Sequence, residues 1–95
     1  MGWMIRIPYE DFKKLIERGL AREITRLEIP IAKTSIIDYD VRIDGYEMVI
    51  SYEEHSDFIT YPQRDRKEAE KLCKIFEKYG IKCEIIETPY DFEYY

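Results

Sequence analysis

The sequence has no asparagine and a single glutamine, Gln63. Against that shortage of heat-labile amides stand 15 isoleucines, 13 glutamates and 9 tyrosines, a bias of the kind seen in hyperthermophile proteins. A hyperthermophile source, archaeal or an archaeal virus, is the expectation. Glycine occurs only singly, at positions 2, 19, 45 and 80, which leaves no glycine-rich phosphate loop. Two cysteines and one histidine cannot complete a four-ligand zinc or iron–sulfur site, so no metal and no other cofactor is expected. No apolar run approaches the roughly 18 residues of a membrane span, and no leader pattern opens the chain. The expectation is a soluble protein without membrane association, in the cytoplasm or, if viral, in the host cytoplasm.

What is present is enough for one folded domain: 95 residues, 45% hydrophobic and 37% charged. The net charge of −5 conceals an uneven distribution. Residues 1–36 carry seven basic and five acidic groups, 37–61 one and seven, 62–82 seven and four, and 83–95 none and four. Basic helical segments alternate with acidic extended ones.

Periodicity assigns the elements. Trp3 to Ile7 reads as a strand stopped by Pro8. From Tyr9 to Arg18, Phe12, Leu15 and Ile16 recur at helical spacing, and Gly19 stands where a helix C-terminus needs a left-handed residue. Leu27, Ile29 and Ile31 alternate with polar positions, predicting an edge strand with Pro30 turned outward. Ile37 to Ile43 and Tyr46 to Tyr52 alternate cleanly around Asp44-Gly45, a type I′ hairpin signal. That turn pairs Ile43 with Tyr46, Val41 with Met48, Tyr39 with Ile50 and Ile37 with Tyr52 on one face. Arg42 then meets Glu47 on the other. Phe58 to Tyr61 reads as a short optional strand ended by Pro62. Asp65 and Glu68 form a capping box for a helix buried through Ala69, Leu72, Cys73 and Phe76 and ended at Gly80. Ile81, Cys83 and Ile85 alternate as a last strand. The expected fold is α+β, a ferredoxin-like βαββαβ arrangement with two helices on one face of a mainly antiparallel sheet and room for an extra strand. Residues 1–87 form the domain and 88–95 an acidic aromatic tail.

Candidate functional residues fall in five groups, none forming a visible catalytic set. Cys73 and Cys83 are expected level with each other on apolar faces; buried free thiols are the favoured reading and a disulfide the alternative. His55 sits in the carboxylate-rich stretch Glu53-Glu54-His55-Ser56-Asp57. A solvated turn is favoured there, with a small metal-dependent nuclease or hydrolase centred on His55 and Asp57 as a third functional class. Lys67, Lys71, Lys74 and Lys78 line one helical face behind Arg64 and Arg66. A solvated face with a Glu70–Lys74 pair is favoured, and phosphate tracking is the second class. Nucleic-acid binding is disfavoured on the sheet itself, because its solvent face carries Asp38, Asp40, Asp44 and Glu47 and no aromatic residue. A solvated β face is the favoured reading there, and a docking face for a protein partner with a basic surface is the alternative on which the functional expectation rests. The tail, with Tyr90, Phe92 and Tyr94, reads as an added strand or an arm on a second copy. The leading expectation is a non-enzymatic, homodimeric protein-binding or regulatory module, an inhibitor of a nucleic-acid-handling complex being one form of it.

Overall fold

The computed structural model describes residues 2–89. In chain order it contains β1 (Gly2–Pro8), α1 (Tyr9–Glu17), β2 (Ala21–Ile29), β3 (Thr34–Ile43), β4 (Tyr46–Glu53), β5 (Phe58–Gln63), α2 (Arg66–Lys78) and β6 (Glu84–Thr88). The class is α+β as expected, but the four-strand ferredoxin-like order does not form. Six strands make two antiparallel three-stranded sheets, β5-β1-β6 and β2-β3-β4. The reason lies in who pairs with the hairpin. Residues 21–29 ladder onto its first strand to give a meander, and residues 58–63 turn back to β1 instead of extending it. β5, α2 and β6, with β1 between the strands, form a split βαβ unit.

The β3–β4 hairpin has the register that its alternation demands: Ile43 opposite Tyr46, Val41 opposite Met48, Tyr39 opposite Ile50, Ile37 opposite Tyr52. Asp44 (φ 47°) and Gly45 (φ 83°) both adopt the left-handed conformation that a two-residue primed turn requires. Of the eight inward residues all but the half-buried Tyr46 are buried. They join Ile5 and Ile7 of β1, Phe12 and Leu15 of α1, Ile59 of β5, and Ala69, Leu72, Cys73 and Phe76 of α2 in one core.

Three strand boundaries differ from the sequence pattern, each for a local cause. β2 spans Ala21–Ile29 rather than 27–31, because a register shift between Glu23 and Thr25 places Ile24 in a bulge and breaks the period-two signal. Pro30 lies in the following turn, where the Lys33 amide donates to its carbonyl. β5 runs through Pro62 to Gln63, a position open to proline because β5 is the outer strand of its ladder. β6 begins at Glu84 instead of Ile81, since the chain first closes α2: the Ile81 amide donates to the Phe76 carbonyl. β6 also reaches Thr88, which pairs with Gly2.

α2 starts as its capping residues dictate, with the Asp65 side chain accepting from the Glu68 amide at 2.9 Å. Asp65→Ala is expected to cost about 1 kcal/mol, within the range for losing such a cap. Thermal unfolding monitored by circular dichroism would show it as a midpoint lowered by roughly 4–8 °C.

Candidate interaction surface

Ladder partners share a face, so the pairing assigns the solvent side of the β2-β3-β4 sheet. It runs in rows: Leu27, Ile36 and Glu53; Thr25, Asp38 and Ser51; Arg22, Asp40 and Val49; Arg42 and Glu47. The acidic residues expected to mark this face are there, yet most are engaged within it. Asp38 accepts from the Thr25 hydroxyl at 2.7 Å and the Ser51 hydroxyl at 2.5 Å. Those two donors, Ser51 foremost, hold its carboxyl below the usual range. Asp40 lies 3.2 Å from Arg42 and 3.8 Å from Arg22, and Arg42 also reaches Glu47 at 3.2 Å, the cross-strand pair read from the sequence. Asp44 is drawn off the face. At the hairpin tip it accepts from the Tyr79 hydroxyl at 2.6 Å and from Lys78 Nζ at 3.0 Å, fastening the hairpin to the end of α2. The tyrosine hydroxyl, with Lys78, keeps its carboxyl below the usual range.

With the charges satisfied in place, the apolar residues of the sheet stand out. Leu27 is 65% exposed and Val49 52% exposed, with Ile36 half-buried beside Leu27. Ile24 in the bulge is 45% exposed, and Ile31, in the turn after β2, is 98% exposed. Sequence reasoning missed Ile24 because the bulge hides its periodicity. It credited Ile31 to a buried strand face that does not exist.

The other sequence candidates fall in separate places. Cys73 and Cys83 are joined in a disulfide with a Cα–Cα distance of 5.3 Å, so the favoured free-thiol reading is overturned in favour of the alternative. The physical reason is the turn at Gly80 (φ 78°), which folds residues 81–83 back along α2 to bring Cys83 beside Cys73.

Lys67, Lys71, Lys74 and Lys78 are all exposed along α2, opposite its buried stripe. Lys78 is held by Asp44, and the neighbouring Tyr46 side chain raises the pKa of Lys71. Glu70 pairs with Arg66 at 2.9 Å rather than with Lys74, because the Arg66 guanidinium one turn earlier reaches it directly. The same guanidinium lies 5.1 Å from the centre of the Trp3 ring. Arg64, Lys67 and Lys74 have no ion-pair partner among the described residues.

His55 is 78% exposed in its side chain, has φ 75°, and lies 3.1 Å from Glu54. It opens on a cleft of about 420 Å³ shared with Tyr9, Arg26, Tyr39, Tyr52 and Asp57. There the Tyr9 and Tyr52 rings stack at 4.2 Å and the Tyr9 and Tyr39 hydroxyls lie 3.3 Å apart. Burial raises the Tyr39 phenol well above its usual range. Arg26 binds both Glu54 and Glu23, with Glu23 the larger cause of its raised pKa. No group of three or more His, Cys, Asp or Glu side chains among the described residues is placed to hold a metal. Tyr90, Phe92 and Tyr94 of the tail lie outside the described residues.

No helix among the described residues is long and apolar enough to cross a membrane. Comparison of the chain with protein-family models, curated proteins and solved structures finds no match.

The lowered carboxyls set a direction for acid stability. Asp11 accepts from the Lys82 amide at 2.8 Å, the main cause of its lowered pKa, and Asp44 is lowered as described. A carboxylate lowered on folding stabilises the native state above its unfolded pKa and loses that contribution as pH falls through its folded pKa. The thermal midpoint is therefore expected to hold towards pH ~4 and to fall below it. An Asp44→Asn variant should melt lower than the parent at neutral pH and converge with it in acid. A constant gap across that range would show that the Asp44 charge is not the source.

Proposed function

We propose that the protein is a non-enzymatic protein-binding module whose docking surface is the solvent face of the β2-β3-β4 sheet. The observation that carries this is the exposure of Leu27 and Val49 on a face where Arg22, Asp40, Arg42 and Glu47 are paired with one another and Asp38 is held by two hydroxyls. Pre-paired charges lower the desolvation cost of covering such a face, and apolar residues among them supply the gain on burial. Glu53, exposed at the end of the Leu27 row, and Glu47, 65% exposed, leave an acidic rim that suits a partner with basic residues around an apolar patch. A partner surface of that kind is also one that holds nucleic acid, and an inhibitor of a nucleic-acid-handling complex is one form of this reading. The Cys73–Cys83 disulfide supports a hyperthermophile source, since intracellular disulfides are ordinary there.

The test has two arms. A protein captured by the tagged chain from source-cell extract is purified and its affinity measured against the parent, Val49→Arg and a Lys67→Glu/Lys74→Glu variant. Loss of at least about tenfold with Val49→Arg and none with the lysine variant supports the docking face. The second arm titrates labelled single-stranded RNA and double-stranded DNA at low salt. Arg64, Lys67 and Lys74, without an ion-pair partner among the described residues, favour nucleic-acid binding as the competing reading. Saturable binding that falls steeply with salt and disappears on changing Lys67, Lys71 and Lys74 to Glu would replace the proposal with that one.

A further inference from the structure

We infer that β2 pairs antiparallel with β2 of a second copy, with the two-fold axis at Leu27. β2 is the outer strand of its sheet, nine residues long, and no strand pairs with its other edge among the described residues. All of it except Ala21 and the half-buried Ile29 is exposed. A long exposed edge is a template for another strand unless something blunts it. The bulge at Ile24 and Pro30 blunt its two ends, but the five residues between, Thr25 to Ile29, ladder regularly with Asp38 to Thr34.

Charge selects both the partner and the register. Residues opposite one another in an antiparallel pair lie on the same face, so a two-fold self-pairing must centre on a residue. Centred on Arg26 it sets two arginines against each other, and centred on Glu28 it sets two glutamates against each other; like charges directly opposite are destabilising. Centred on Leu27, each Arg26 meets Glu28 of the other copy, and each Thr25 meets Ile29. Arg26 and Glu28 both belong to the face opposite Leu27, so these cross-copy ion pairs and the apolar contact do not compete for space. Glu28 has no ion-pair partner within the described chain, whereas Arg26 already holds Glu23 and Glu54 and takes the second copy's Glu28 as a further carboxylate or in exchange for one of them. On the solvent face, Leu27 meets its own copy, and the half-buried Ile36 beside each extends the contact into one apolar strip, Ile36-Leu27-Leu27-Ile36. The strip lies on the solvent face and stays open to a docking partner.

The inference rests on reading the β2-β3-β4 sheet as an interaction surface and names a second copy as one of its partners. Sedimentation equilibrium or light scattering on the full chain should give twice the 11.6 kDa of one chain. Glu28→Arg and Leu27→Lys, each shown to fold by circular dichroism, should each raise the dissociation constant on the order of tenfold or more. Mixing Glu28→Arg with Arg26→Glu, the latter also shown to fold because it loses the Glu23 and Glu54 pairs, should restore a dimer of unlike chains in native mass spectrometry, because both cross-copy pairs again join opposite charges. A monomeric parent at all concentrations, or a dimer untouched by both Glu28→Arg and Leu27→Lys, overturns the pairing. Val49→Arg, two strands away on β4, should leave the dimer intact while abolishing partner capture. A monomeric parent that still captures its partner through Val49 therefore overturns the dimer alone and leaves the docking face standing.

Discussion

Opening the Cys73–Cys83 bridge is expected to destabilise the protein by about 3 kcal/mol, the loss of constraint on the unfolded chain for a loop of this length. For a domain of this size that corresponds to a thermal midpoint lowered by roughly 12–24 °C. The bridge closes a short loop, a sequence separation of ten, that includes the last turn of α2 and the Gly80 reversal. Without it, the segment preceding β6 is held by the buried Ile81, by the Lys82 amide on Asp11, and by the β1 ladder. Those contacts should keep the native fold but not its margin. Unfolding should be compared for the oxidised parent, the parent in reductant, and a Cys73→Ala/Cys83→Ala variant, with the gain of two hydrogens on reduction followed by mass. Equal midpoints for oxidised and reduced protein, or no mass change, would refute the bridge's role.

Phe12→Ala should cost about 3–5 kcal/mol, the range for truncating a buried aromatic side chain. Phe12 is 0% exposed, and its ring meets the Tyr39 ring edge-on at 5.1 Å while lying 6.4 Å from Tyr9. With Tyr9, which stacks on Tyr52, it is one of the α1 side chains that press on the hairpin, and its loss leaves a cavity between the two elements. Against a typical total of about 5–15 kcal/mol, the variant is expected to be partly unfolded at elevated temperature. Urea unfolding with an unchanged slope and a reduced midpoint would show a pure stability loss. A change below ~1 kcal/mol would mean that the site collapses to fill the space, contrary to the packing described.

The hairpin was legible down to its individual pairs, and so were both helices with their ends. In each case the signal is local: strict alternation around Asp44-Gly45, a 3.6-residue stripe, an aspartate cap before α2, and Gly19 and Gly80 after the helices. The acidic solvent face was legible for the same reason, since alternation says which side chains share a face. It does not say what those side chains bind. That Asp38 is held by two hydroxyls from neighbouring strands, that Asp44 is claimed by Lys78 and Tyr79, and that Glu70 takes Arg66 rather than Lys74 depends on distances between elements or on competition among neighbours. The cleft that gathers His55, Arg26 and three tyrosines was invisible for the same reason, its residues coming from four parts of the chain.

By itself, then, the sequence determined the helices, the hairpin and their buried faces, because those follow from side-chain period, turn chemistry and capping within a few residues; for β2 it gave neither the bounds nor the inward face. Only the tertiary structure decided that six strands divide into two sheets, that Pro62 sits inside a strand, that a bulge leaves Ile24 and Leu27 exposed on an edge, and that two cysteines meet. Each of these is a choice among partners far apart in the chain. Such choices are settled by which pairings bury the same apolar faces together and which edges are left over, a balance that local pattern does not contain.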